Sequence, residues 1–336
     1  MTQINREKPE FYRDFMSAGF FPNANKITKY RESSNYWIFK TGERAHKIRK
    51  ESTSSSTVPL ERVFCQEVLS LLTLHSPGLA AEPLYVRKEG ERFVVDGEGK
   101  KAARYYGIAM NQLSDRHFLD VVIEKGKATE KTIAAVAESL TRFHERTPTA
   151  SSKEEGTPEQ LHSILQDLLY QSKKYLGQTM SQATIGMILH PLERFLLDSR
   201  RLLLKRIRKG RIKKIHGCFI PRKINICKGA VNILARSSDP LKNRFADVAS
   251  DVADLVVELN QAGKRELADF LERAYTQLSD DKEIRQVLPF YRAMKCLTLG
   301  NRHSAAMRNL PKRKASMHQD RAKRYYEQTI DVVHRM

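Results

Sequence analysis

The pattern of apolar residues changes character near residue 112, and that change limits the folds open to the chain. Upstream, short apolar runs are set off by turn residues: NYWIFK (35–40), a TGE turn (41–43), RAHKIRK (44–50), LYVR (84–87), RFVV (92–95) and RYYGIAM (104–110). Runs of this length, rich in β-branched and aromatic side chains, read as strands, the first two joined by a tight turn. One helix interrupts them over about 59–75: Pro59 suits its first turn, and Val63, Val68, Leu69, Leu71, Leu72 and Leu74 give a broad apolar stripe. Downstream, helical periodicity runs through 115–124, 128–146, 158–177, 181–207, 246–278, 283–305 and 318–335. Only 212–236 breaks it, with the short runs KIHGCFI, INI and VNIL. Residues 1–34 read as a polar lead-in, and STSSST (52–57) as a loop. The pattern predicts an α+β protein in two parts, a strand-rich 1–112 and a helical 113–336.

With 336 residues, 40% hydrophobic and 29% charged, the chain is long enough and apolar enough to bury a core. No stretch approaches the roughly 20 apolar residues of a membrane span. The opening MTQINREKPEFYRDF lacks the apolar segment of a secretory signal, so a cytoplasmic location is expected. Cys65, Cys218, Cys227 and Cys296 are scattered without a CxxC pair, which fits neither a disulfide framework nor a zinc site. Lysine and arginine outnumber aspartate and glutamate 59 to 39, a net charge of +20. A field of that sign favours anionic partners without choosing among them.

One segment carries the candidate chemistry: KIHGCFIPRKINI, residues 214–226. Kinase-type phosphoryl transfer needs a strand lysine on the nucleotide phosphates and a helix glutamate that orients it. It also needs a catalytic-loop aspartate that accepts the hydroxyl proton, and an asparagine and a further aspartate for magnesium. Lys47 lies on the second strand of the predicted hairpin and Glu67 on the helix that follows. The stretches NYWIFKTGERAHKIRK (35–50), ERVFCQEVLSLL (61–72), YYGIAMNQLSDRHFLDVVIEKG (105–126), LTRFHERTP (140–148), RFADVASDVADLVVELNQAGKRELADFLERAY (244–275) and LPFYRAMKCLTLG (288–300) complete the pattern. In this order they resemble the bacterial aminoglycoside phosphotransferase-related, protein-kinase-like proteins, in a branch often fused to a P-loop domain. The P-loop signature GxxxxGK[ST] is absent from this sequence. The resemblance implies a bilobal protein-kinase-like fold, with a small strand-rich lobe and a larger helical one. It implies Lys47 on phosphates, Glu67 as its partner, and Met110 and Asn111 at the inter-lobe hinge where adenine would bind.

The departures from that family pattern bear on function. Its catalytic aspartate falls on Cys218, and its asparagine five residues later falls on Lys223. Asn225 is the nearest asparagine. The magnesium aspartate, about twelve residues before Asp247, falls on Ala235, with Asp239 the nearest acid. A thiol is a poor replacement for a carboxylate that must orient a hydroxyl and take its proton. Magnesium wants oxygen ligands, and a lysine would place positive charge at its site. ATP or another nucleotide is therefore expected as ligand, with magnesium short of ligands. His216 reads as a structural residue under the loop. Asp247, Asp251 and Asp254 fall at helical spacing and read as capping residues and partners of nearby arginines.

Two basic runs stand apart, RRLLLKRIRKGRIKK (200–214) and RNLPKRKASMHQDRAKR (308–324). Three readings follow: a pseudokinase that binds nucleotide or another small anionic ligand, an active small-molecule phosphotransferase with a rearranged metal site, and a basic scaffold that holds an acidic protein or, nonspecifically, nucleic acid through these runs.

Overall fold

The computed structural model of the chain describes residues 9–17, 20–21, 27–33, 35–50, 60–96, 103–152, 154–235 and 245–336. The chain opens with α1 (Tyr12–Met16), β1 (Lys29–Glu32), β2 (Tyr36–Lys40), β3 (Arg44–Arg49), α2 (Leu60–His75), β4 (Glu82–Glu89), β5 (Arg92–Asp96) and β6 (Tyr105–Asn111). Helices follow: α3 (Leu119–Glu124), α4 (Glu130–Arg146), α5 (Pro158–Lys173), α6 (Gln182–Asp198) and α7 (Arg200–Arg208). Three short strands and their neighbour come next, β7 (Ile212–Lys214), β8 (Ile224–Cys227), β9 (Ala230–Ile233) and β10 (Phe245–Asp247). The chain ends in α8 (Ala249–Gln261), α9 (Arg265–Leu278), α10 (Ile284–Ala306) and α11 (Lys312–Val333). Two compact units result, one from residues 1–118 and 224–243, the other from 119–223 and 244–336.

In the first unit a six-stranded antiparallel sheet runs in the order β1-β2-β3-β6-β4-β5. The alternation of strand residues dictates which side is filled. Phe39, Ile48, Leu84, Val86, Phe93 and Tyr105 form one buried cluster. Phe11 and Phe15 complete it, with the Phe11 ring 4.5 Å from that of Phe15 and 4.7 Å from that of Tyr105. The segment read as a polar lead-in thus supplies core aromatics and the edge strand β1. Its apolar residues are too few for a period, and only the sheet shows where they go. α2 packs against β6 and β4. Gly107 on β6 is required where it stands, because a Cβ there would collide with the Lys47 carbonyl of β3.

The β8–β9 hairpin also belongs to the first unit, although the sequence reading placed it with the helices. Asn225 Nδ2 donates to the Ser114 carbonyl (3.0 Å), and the Ile233 amide donates to Ser76 Oγ (2.7 Å). These are long-range bonds with no local signature.

In the second unit, helix starts follow from local chemistry. Thr129 and Thr132 form a reciprocal cap at α4, Thr157 caps α5 just before Pro158, and Ser181 caps α6. Two long predicted helices are broken: 181–207 at Ser199, and 246–278 into β10, α8 and α9. Gly263, at φ +70°, makes the turn between α8 and α9. α8 lies at the centre, with Val252, Leu255, Val256, Val257 and Leu259 wholly buried, and α10 packs on both α8 and α11. Tyr326 of α11 lies against Gly300 of α10, where a Cβ would overlap its ring.

Candidate functional site

The segment KIHGCFIPRK leaves β7, whose Ile212 pairs antiparallel with Asp247 of β10, and ends in a 3-10 turn at Pro221–Lys223. Its backbone is held by two carboxylates of α8. Asp251 accepts the amides of His216 and Gly217 on separate oxygens, each at 2.7 Å. Asp254 accepts the amide of Phe219 at 2.8 Å. Gly217 sits at φ +69°, a backbone state that glycine adopts without strain. Charged acceptors on buried amides are among the stronger hydrogen bonds in proteins, so the loop geometry is firmly specified.

Behind the loop the network continues. His144 Nε2 lies 3.1 Å from Asp251 Oδ2, and His144 Nδ1 lies 2.7 Å from the Tyr275 hydroxyl. An imidazole that donates to the carboxylate through Nε2 accepts the tyrosine proton at Nδ1, so one tautomer satisfies both contacts. Burial alone would raise the Asp251 pKa, but the bond from His144 and the charge and amide of His216 outweigh it and hold the carboxyl below its usual range. Asp254 also pairs with Lys295 of α10 at 2.5 Å. Burial disfavours the Lys295 ammonium, yet Asp254 and nearby groups more than compensate and keep it charged.

The three aspartates therefore divide their work. Asp247 lies on β10 instead of on the helix; it caps the Ala249 amide (2.9 Å) and, with Asp281, encloses the guanidinium of Arg206. That part of the expectation, capping and arginine pairing, describes Asp247. Asp251 and Asp254 instead clamp the loop, a role the spacing does not reveal because the loop lies more than thirty residues away.

Cys218 stands half-buried at the loop's third position. Burial pulls the Lys223 pKa below its usual value. His216 is wholly buried, with its ring edge-on to Phe219 at 5.9 Å. The arrangement offers a rigid loop with a thiol, not a carboxylate, at the position where the kinase resemblance expects the proton acceptor.

In the first unit, Lys47 lies mid-strand on β3, between Ile38 of β2 and Ile108 of β6. Glu67 is half-buried on α2. Met110 is buried at the end of β6, and Asn111, exposed beside it, accepts a bond from Arg44 at 2.9 Å. Asn225 is wholly buried and its amide nitrogen is spent on Ser114. Ala235 is almost fully buried and offers no side-chain donor atom, while Asp239 lies outside the described residues. Among the described residues no group of three His, Cys, Asp or Glu side chains is placed to hold a metal ion. The residues at the positions where the resemblance implies magnesium ligands, Lys223 and Ala235, do not fit that ion.

Five of the nine cations of the first basic run face carboxylates of the same chain. Arg206 is buried between Asp247 and Asp281, Arg200 pairs with Glu159, and Lys205 and Lys209 share Glu283. Arg211 lies 3.7 Å from Asp281. In the second run Arg308 stacks over Tyr175, while Lys312, Arg313 and Lys314 are exposed at the start of α11. Among the described residues no helix is long and apolar enough to cross a membrane.

Comparison with known proteins places this geometry. No family model matches the chain. It is 24% identical over 195 residues to uncharacterized proteins of Mycobacterium tuberculosis and Mycobacterium bovis; the match takes in 56% of this chain and 38% of theirs. The chain thus spans well under half the length of those relatives. Among solved structures, a choline/ethanolamine kinase family protein from Mesorhizobium loti aligns with 95% of each chain at a TM-score of 0.55 and 14% identity. Aminoglycoside 2'-phosphotransferase-IIIa in its GDP complex aligns with 96% of this chain and 99% of its own at 0.54 and 12%. A glucosamine kinase bound to glucosamine, ADP and inorganic phosphate aligns with 90% of this chain and 80% of its own at 0.52 and 11%. The protein has the α+β, protein-kinase-like fold of the aminoglycoside phosphotransferases, as the sequence resemblance implies.

Proposed function

We propose that this chain is a kinase-fold protein that binds a nucleotide or another small anionic ligand without efficient phosphoryl transfer. The observation that carries the reading is the state of the loop at 216–219. Its backbone is clamped by Asp251 and Asp254, and Cys218 stands where the resemblance implies the proton-accepting carboxylate. A thiol cannot orient an acceptor hydroxyl with two oxygens, and Lys223 and Ala235 supply no magnesium ligand. Solved structures of similar fold carry GDP, or ADP with phosphate, which supports nucleotide as the first ligand to test.

In this reading Lys47 meets the phosphates, Glu67 orients it, and Met110 and Asn111 border the base. The active-phosphotransferase reading needs an acid to take the part of the missing aspartate. The scaffold reading draws less support from the first basic run, because five of its cations already face carboxylates of the same chain.

Calorimetric titration with ATP, with and without magnesium, on wild type and Lys47→Ala tests the proposal. Magnesium-independent binding that the variant loses is the expected result. Binding only with magnesium, accompanied by phosphate transfer to any acceptor, overturns it. The thermal shift, RT ln(1 + [L]/Kd), gives an independent check on binding.

A further inference from the structure

Within the second unit, a cleft of about 950 Å³ opens beside the end of the loop, walled by α3, α8, α10 and α11. Its lining carries a net positive charge. Five cationic side chains line it against three carboxylates. Arg200, Arg206 and Arg292 of the same unit each meet a carboxylate. Among the described residues, Arg222, Arg302, Arg321 and Arg324 of the cleft have no carboxylate within ion-pair distance. They arrive from three separate elements, the loop end, α10 and α11, so they are not merely the solvated face of one helix. Two histidines sit among them. His303 Nδ1 lies 3.0 Å from His318 Nδ1, and the His303 ring stacks on Tyr325 at 5.6 Å.

Holding five cations with only three carboxylates leaves like charges in excess, which costs free energy, and an anion bound among them lowers that cost. Guanidinium groups match the paired oxygens of phosphate and carboxylate, and the imidazoles add donors once protonated. We propose that this cleft binds a small molecule through a dianionic group, a phosphomonoester or a dicarboxylate, beside the Cys218 loop. The inference rests on the small-ligand reading above but not on nucleotide binding. It excludes a polycationic ligand, because the cleft would repel one. His303 supports it: burial, then the charges of His318, Arg321, Arg302 and Arg222, push its pKa down to about 4, so it is neutral near pH 7 and can take up a proton when an anion arrives.

The test is calorimetric titration at low salt with inorganic phosphate, glucose 6-phosphate, succinate, glucose and spermidine. Wild type, Lys47→Ala, Arg321→Gln and Arg302→Gln/Arg321→Gln are compared. Both arginines are exposed, so the variants should fold, and a thermal melt checks that. The expected result is binding of phosphate or glucose 6-phosphate, or of succinate if the group is a dicarboxylate. Affinity should fall at least tenfold in the double variant, by a smaller factor in Arg321→Gln, and not at all in Lys47→Ala. Glucose and spermidine should not bind. Equal affinity in wild type and double variant would assign the effect to the general positive charge and overturn the proposal, as would binding of spermidine or of no anion. ATP binding lost in Lys47→Ala but kept in the double variant would uphold the nucleotide reading whatever the cleft does.

Discussion

Replacing Asp251 by Asn removes one charge from the centre of the loop clamp. Asp251 is wholly buried and accepts three bonds, from the amides of His216 and Gly217 and from His144. Asparagine keeps one acceptor oxygen and turns an NH2 group toward a donor. At least one loop amide is then buried without a partner, at about 1–3 kcal/mol. The remaining bonds lose their charge assistance, which roughly halves them. The total is about 3–5 kcal/mol, or a fall in Tm of roughly 6–20 °C for a unit of this size. The assay is thermal denaturation by circular dichroism, joined to hydrogen exchange on a peptide covering 214–220, whose protection should drop. The pH dependence has a defined sign. The Asp251 pKa is depressed in the folded state, so its contribution is present above the usual carboxylate value and is lost as pH falls through the lower folded one. The gap between wild type and Asp251→Asn should narrow below about pH 4. A fall of less than 2 °C in Tm with unchanged exchange at 216 and 217 would refute the clamp.

Other expectations follow from the same geometry. Arg206→Met removes the guanidinium that Asp247 and Asp281 share, leaving only Arg211, 3.7 Å from Asp281, and should cost about 3–5 kcal/mol by urea denaturation; adding Asp247→Asn and Asp281→Asn should recover much of it. Cys218→Asp alone should not produce magnesium-dependent phosphate release from ATP, because Lys223 and Ala235 remain; turnover in that single variant would show that the metal ligands lie elsewhere. Gly300→Ala should lower Tm by forcing the Tyr326 ring from its place against α10, at a cost of about 1–3 kcal/mol.

The similar solved structures share 11–14% identity with this chain, so the resemblance in fold does not carry an acceptor with it. What holds the loop is its backbone, through the amides of residues 216, 217 and 219. A clamp of this kind is made of carboxylates on main-chain amides, and it tolerates a change at Cys218 because that side chain takes no part in it.

The sequence by itself determined the α+β class, the strands from residue 35 to 111 and the departures at Cys218, Lys223 and Ala235, because periodicity and residue identity are local properties. The tertiary structure alone decided the rest. Phe11 and Phe15 read as part of a polar lead-in until the sheet buries them, and Asp251 reads as one more helix carboxylate until the loop from 216 comes to rest on it. The run 200–214 reads as a free cationic stripe until Asp247, Asp281, Glu159 and Glu283 arrive from distant elements. The partners in each case lie tens of residues or more apart, and a charge or a hydrogen-bond donor carries no mark of what it will meet until the chain has closed that distance.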